Sequence, residues 1–398
     1  MTRVAQWARR PSTVYLVLAA IVIAQIVGLY FALPGRISPS VNAVQPDSGI
    51  YICYGLHLFH DSPAVIAQKA TAILSAYGYP DINCLEPDMS STMLWLVFPR
   101  LLLSTLIGAA SLLPWAIAML LPNAAIFAGI AALWLKLVVG RGRPSRAFTW
   151  VVAVVPFLAF SIIVWPAAVL TEGLITLLGL LAVWLLTSSL NPLARLAPAT
   201  AIGAAMLLTR PSWPVAATLW AVVLAPAILT RVREPTRAAR IAIWTIAGIG
   251  GVVAALGTSR VIDFLTVPPG LKESQTYVPE GIPSTLDVLT GIVRRAMAST
   301  WQDILDAVSM GDVISVAVLL GGIGAVAYLL VRRQWALAAV TLVTWFVGVY
   351  SVGIISLEWR DESTHFRFLV SSIFTGIAAM AAVARRKVVS TDRPVSHG

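Results

Sequence analysis

The chain has 398 residues, of which 58% are hydrophobic and only 12% charged, and its mean hydropathy is +0.85. A soluble domain carries about 25% charged residues, so a water-facing enzyme, a disordered chain and a nucleic-acid-binding domain are all excluded. Two cysteines are too few for a disulfide scaffold or a Cys-rich zinc site, and the meaning of the +10 net charge depends on where the basic residues fall.

About 20 apolar residues cross a bilayer, and the sequence predicts ten such spans. The first apolar run, from about Ser12 to Leu33, follows Arg3, Arg9 and Arg10. It exceeds the 7–15 residues of a signal-peptide core, so it reads as an uncleaved membrane helix. Further spans are predicted at about Leu113–Val139, Phe148–Leu170, Gly173–Ser189, Leu196–Leu208, Trp213–Thr230, Ile241–Thr258, Val313–Val331, Trp335–Ile355 and Phe368–Ala384. The fold class is therefore all-α and polytopic, a single transmembrane domain over residues 1–398.

Ten spans that start inside gather most basic residues in one set of loops, among them Lys136, Arg141, Arg143, Arg195, Arg231 and Arg332. Only Glu234 and Asp392 of the eighteen acids share that side. This is the positive-inside pattern, so the +10 charge is topological and no nucleic-acid partner is expected. Both termini are expected in the cytoplasm of a bacterial plasma membrane.

Two long segments face outward, at about residues 34–112 and 260–312. In the first, Ser62-Pro63 reads as an N-cap followed by proline at the first helical position. Ile66, Ala70, Ile73, Leu74 and Tyr77 then keep helical spacing up to Gly78, predicting an amphipathic helix on the membrane surface. Met93–Leu112, interrupted by Pro99-Arg100, reads as a second surface or re-entrant helix. In the second segment, Ser284 and Asp287 resemble a capping pair ahead of Leu289, Ile292, Val293, Met297 and Trp301.

Four outward features can carry chemistry. Asp47, in the loop Val44–Tyr51, is an ionised carboxylate near the bilayer edge, able to act as a general base or to form a turn with Ser48 and Gly49. Glu172 lies in a short hairpin between two spans, where an acid is a functional candidate or a helix-terminus charge. Arg210 could grip a phosphate or pair with Glu172. The loop Glu358–Arg367 holds six ionisable residues in ten, ending in His365 and Arg367 beside the last span. His57 and His60 read as hydrogen-bonded loop residues, and no zinc spacing is present. Cys53 and Cys84, both outward, can form a disulfide pinning the loop that carries Asp47; two buried free thiols is the alternative.

Taken in order, these stretches resemble the GT-C superfamily of polytopic glycosyltransferases. Asp47-Ser48-Gly49-Ile50-Tyr51 resembles the acidic motif of that superfamily's first outer loop, and Phe98-Pro99-Arg100-Leu101-Leu102 its juxtamembrane helices. Leu170-Thr171-Glu172-Gly173-Leu174, Leu208-Thr209-Arg210-Pro211 and Phe366-Arg367-Phe368-Leu369 are similar to stretches of its mannosyltransferases. The resemblance implies an enzyme that moves a sugar, mannose first, from a polyprenyl-phosphate donor to a lipid or glycan acceptor on the outer face. Asp47 would be the general base. Arg210, Arg367 and His365 would hold the donor phosphate, with Glu172 and Tyr51 orienting substrate. No paired acidic motif follows the first span, which favours a metal-independent enzyme with no firm cofactor. An arabinofuranosyltransferase is the near alternative. A transporter or flippase of lipid-linked sugars and a non-catalytic assembly subunit are the rivals of other classes.

Overall fold

The computed structural model describes residues 11–32, 44, 46–82, 84–85, 101–139, 146–209, 212–266, 285–355 and 366–391. Every regular element among them is a helix. The segment after the first span holds α2 (Pro46–Phe59), α3 (Pro63–Leu74) and α4 (Leu101–Ala110), while α12 (Thr285–Ser309) occupies the second long segment. The apolar runs form α1 (Pro11–Val27, closing in a π-turn Gly28–Ala32), α5 (Leu121–Val138), α6 (Arg146–Leu158), α7 (Phe160–Ala167), α8 (Thr171–Thr187), α9 (Leu196–Thr209), α10 (Trp213–Leu229), α11 (Arg237–Thr266), α13 (Val313–Val331), α14 (Trp335–Ile355) and α15 (Phe366–Thr391).

Among the described residues six helices are long and apolar enough to cross a membrane: Thr13–Tyr30, Ala116–Val138, Arg237–Ile262, Val313–Val331, Trp335–Val352 and Phe366–Arg385. The chain is thus a membrane-embedded, all-helical protein. The predicted span Phe148–Leu170 is not straight: α6 and α7 meet at a 75° bend. Three other predicted spans are the shorter apolar helices α8, α9 and α10, of 17, 14 and 17 residues. At 1.5 Å per residue the longest reaches about 25 Å, short of a 30 Å hydrocarbon core.

The contacts fix how the central helices run. Glu172 meets Arg367 at the N-termini of α8 and α15, and Gly179 meets Thr375 midway. At the far ends Arg385 Nη1 donates to the carbonyls of Lys136 and Leu137 at 3.0 and 3.2 Å, and the Lys136 ammonium lies 4.8 Å from the Trp184 ring centre. Helices α5, α8 and α15 are therefore parallel. Helix α14 runs against α15, since Gly348 packs on Phe368 and Ser372 while Thr341 packs on Gly376. One end of the bundle holds Glu172 and Arg367; the other holds Lys136, Arg385 and the Arg195 side chain, which donates to Ser188 O at 2.8 Å.

Packing at the bundle centre is aromatic. Trp134, Phe157 and Phe374 sit edge to face, with ring centres 5.1 to 6.2 Å apart. Outside, α11 leaves Ile241, Ile246, Ile249, Val253, Phe264 and Leu265 exposed, an apolar surface suited to lipid.

The helix α3 buries Ile66, Ala70, Ile73 and Leu74, the predicted face, and runs into a 3-10 turn, Ser75–Tyr77, that Gly78 closes with φ 87°. Ser62 precedes it in extended backbone, but only its carbonyl serves the helix, accepting from Ile66 N at 3.1 Å; its side chain makes no capping bond. The stretch read as a loop around Asp47 is corrected: Pro46 opens the 14-residue helix α2. Gly55 and Gly108 let α2 and α4 meet backbone to backbone, since a Cβ on Gly55 would stand 2.5 Å from Ser104 O. The capping residues Ser284 and Asp287 lie outside the described residues or in a side chain not described.

Candidate functional site

The strongest constellation stands at the start of α8. Helix α7 ends at Ala167, and the chain turns through Ala168–Leu170 before Thr171 starts α8. That turn is tied from three sides. Tyr30 Oη donates to Ala167 O, and Asn123 Nδ2 donates to Ala168 O. Gly173 touches Pro166, where a Cβ would meet the carbonyl at 2.4 Å. Tyr77 of the surface segment donates its hydroxyl to Tyr30 O at 2.5 Å, and burial pushes that phenol up to about 12, so it stays a donor at neutral pH.

This scaffold places Glu172 in the first turn of α8, 2% exposed. A negative charge there is favoured by the helix dipole, but burial makes it costly unless it is paired. Its partner is Arg367, in the first turn of α15: Nε donates to Glu172 Oε1 at 2.7 Å. Arg367 is 12% exposed, and its guanidinium carbon lies 5.3 Å from the Phe368 ring centre. The alternative that Arg210 pairs with Glu172 falls on a residue outside the described ones. Arg367, which stands 195 positions away, is one residue that holds the carboxylate.

Beside this pair a narrow cleft opens between α8, α9, α10, α14 and α15. Its free volume is only about 30 Å³, room for a water or two. Ile175, Met206, Val215, Val347 and Phe368 give it apolar walls. Ser212, Thr344, Ser351 and Ser371 bring hydroxyls to it, and Gly179 and Gly348 supply bare backbone.

A second tie holds the bend. Asp312 Oδ2 accepts from Ser161 N at 2.8 Å, Ser161 Oγ at 2.7 Å and Ser315 Oγ at 2.6 Å, and Oδ1 accepts from Ser315 N at 3.1 Å. One carboxylate thus caps both α13 and the start of α7. Burial pushes its pKa up, but the hydrogen bonds from Ser315 and Ser161 outweigh that, and the net shift is downward.

The remaining predicted residues are placed as follows. Asp47 lies in the first turn of α2, and its side chain is outside the described set, as is His365. Tyr51 is buried, 2% exposed, on the same helix. Cys53 and Cys84 are joined by a disulfide with Cα atoms 4.9 Å apart. It ties α2 to the chain beyond α3, and one ring nitrogen of His57 stands 2.7 Å from Cys84 O. His60 pairs with Ser111 Oγ at 2.8 Å. Among the described residues no three His, Cys, Asp or Glu side chains gather as a metal site.

Sequence reasoning did not find Tyr30, Asn123, Ser161 or Asp312. Three of them act through backbone atoms of a distant turn or a helix start and leave no spacing to read. The Pro166–Gly173 interval around the hairpin was the one local signal. Comparison with protein-family models, with curated proteins and with solved structures gives no match.

Proposed function

We propose that this chain is a membrane glycosyltransferase. It takes a sugar, mannose first, from a polyprenyl-phosphate donor and places it on a lipid or glycan acceptor. What supports the reading most is the buried Glu172–Arg367 pair, whose helices also carry Ile175 and Phe368 of a small apolar cleft. A guanidinium held at Nε by a buried carboxylate is fixed in orientation before substrate arrives, and such a cation can stabilise charge growing on a phosphate leaving group.

In this reading Asp47 removes the proton of the acceptor hydroxyl as it attacks the anomeric carbon, and the carrier phosphate leaves with inversion. Arg367, with Arg210 and His365, neutralises the leaving phosphate; Glu172 positions Arg367, and Tyr51 supports the helix that carries Asp47. The site faces the outside of a bacterial plasma membrane with both termini in the cytoplasm. The apolar helices α8, α9 and α10 and the bent pair α6–α7 complete ten crossings. No metal is invoked. Arabinofuranose is the alternative donor sugar.

One observation favours a second reading, a transporter of lipid-linked sugars: the 75° break between α6 and α7, since broken helices mark transporter sites. Transfer by the purified full chain, tested with a panel of polyprenyl-phosphate sugars, separates the two. Consumption of one donor, lost in Asp47→Asn, supports the transferase. Movement of lipid-linked sugar across vesicles that persists in Asp47→Asn, with no transfer, overturns it.

A further inference from the structure

Helix α12 is built inside out. It packs against α14 and α13, and the flank it buries there carries Ile292, Ala296, Asp303 and Ala307, with Asp303 only 3% exposed. The opposite flank carries Val293, Met297, Trp301, Leu305 and Val308, spaced by four, four, four and three residues. All five are exposed, Met297 to 68% and Trp301 to 61%. A helix that borders water turns its apolar stripe to the core and its charges outward. Helix α12 does the reverse, with an acid inside and an apolar stripe outside. An exposed apolar face of that length marks a protein or a membrane contact.

The rest of the surface decides between the two. The stripe does not stop at the end of α12. Met310, Val313 and Ile314 in the elbow towards α13 are exposed as well, while Asp312 turns inward to Ser161 and Ser315. Val313 and Ile314 open α13, one of the helices long and apolar enough to cross a membrane, and Leu320 and Ile323 further along it are also exposed. The exposed apolar side chains of a spanning helix meet acyl chains. The same surface runs without a break from that span onto α12. Arg294 shares the exposed flank, and its long stem lets the charge reach the headgroups while the stripe stays in hydrocarbon.

We infer that the phospholipid bilayer covers this flank of α12. The helix lies at the boundary between acyl chains and headgroups, with Met297, Trp301 and Leu305 in lipid, and it holds the second long segment on the membrane. The partner is the lipid surface itself and not a second protein. The inference does not depend on the transferase reading.

The two native cysteines are bonded to each other, so a single introduced cysteine takes a nitroxide label alone. Met297→Cys, Trp301→Cys and Leu305→Cys are labelled in the full chain, held as one copy per disc of phosphatidylethanolamine and phosphatidylglycerol. Asn191→Cys, in the exposed α8–α9 turn, is the water-facing reference. Relaxation of the label by oxygen, which concentrates in hydrocarbon, is compared with relaxation by a water-soluble nickel chelate. Oxygen is expected to outweigh nickel at all three α12 sites, and nickel to outweigh oxygen at Asn191→Cys. Thermal midpoints show that each labelled variant folds, and Val293→Cys or Val308→Cys on the same stripe replaces any that does not. Nickel outweighing oxygen on α12 overturns the inference, because the flank then borders water. Weak relaxation by both reagents overturns it too, because protein then covers the flank.

Discussion

Glu172 and Arg367 form a buried charge pair, and such a pair is weak as net stabilisation but strong as a constraint. Both charges gave up water, so replacing one removes a 2.7 Å charge-assisted bond from the other. Arg367→Ala should therefore cost on the order of 3–5 kcal/mol, read as a large fall in the thermal midpoint in detergent. Glu172→Gln keeps an oxygen facing Nε and should cost less. The double variant Glu172→Gln/Arg367→Gln should lose clearly less than the sum of the two single losses. Additive losses would mean that the two side chains do not act as a unit. Arg367→Ala should also abolish transfer in any donor panel that the parent protein consumes. Legibility was uneven at this scale. Glu172 stood out in the sequence because a lone acid between two apolar runs is rare. Arg367 as a partner did not, because nothing local singles it out; the parallel packing of α8 and α15 brings it there.

At the scale of single elements, periodicity decided what could be foreseen. Helix α3 was readable because its apolar positions repeat on one face from Ile66 to Tyr77. Helix α2 was not: Ser48, Tyr51, Ile52, Cys53 and Leu56 are all buried around its circumference, so no polar face marks it and Pro46-Asp47-Ser48-Gly49 reads as a turn. The bend between α6 and α7 was hidden by an apolar run that continues straight through it. Its stabilising residue, Asp312, sits 151 positions from Ser161. Removing that carboxylate as Asp312→Ala deletes two caps at once and should cost about 1–3 kcal/mol. The lowered pKa sets a pH signature. Stability from Asp312 is fully present above the ordinary carboxylate value of about 3.9 and is lost as pH falls through the lower folded value. Thermal melts of the parent should thus drop with acid below pH about 4 more steeply than those of Asp312→Ala. Parallel curves would remove Asp312 from the account. The hairpin before α8 gives a second test. Gly173→Ala forces a Cβ onto Pro166 O and should cost about 1–3 kcal/mol, lowering transfer together with the thermal midpoint.

Across the whole molecule, the disulfide and the sorting of charge make one prediction together. Cys53 and Cys84 are each buried, 3% and 2% exposed, and bonded to one another. The native chain therefore offers no free thiol, and a cysteine introduced elsewhere reports its own side of the membrane. Contacts place the surface helix α3 at the Glu172 end, because Tyr77 reaches Tyr30 and Tyr30 reaches Ala167. The α8–α9 turn and the α13–α14 turn lie at the far ends of helices that start there, with Arg195, Lys136 and Arg385 at that opposite end. In the proposed topology, which follows the positive-inside bias, α3 faces outside and those turns face the cytoplasm. A membrane-impermeant maleimide on intact cells should label Gln68→Cys, and should label Asn191→Cys and Gln334→Cys only after lysis. Labelling of Asn191→Cys in intact cells would invert the topology and put the Glu172–Arg367 pair in the cytoplasm, where a polyprenyl-phosphate donor of the outer face could not reach it. Reduction before labelling should expose two further thiols and lower the thermal midpoint, since closing a loop of 31 residues is worth about 3–4 kcal/mol in the chain-entropy model. That loss should fall on α2 and the segment beyond α3, so activity should decline with reductant before the bundle melts. The Asp47 turn depends on the bridge, whereas the Glu172–Arg367 pair is held by the packed helices α5, α8 and α15.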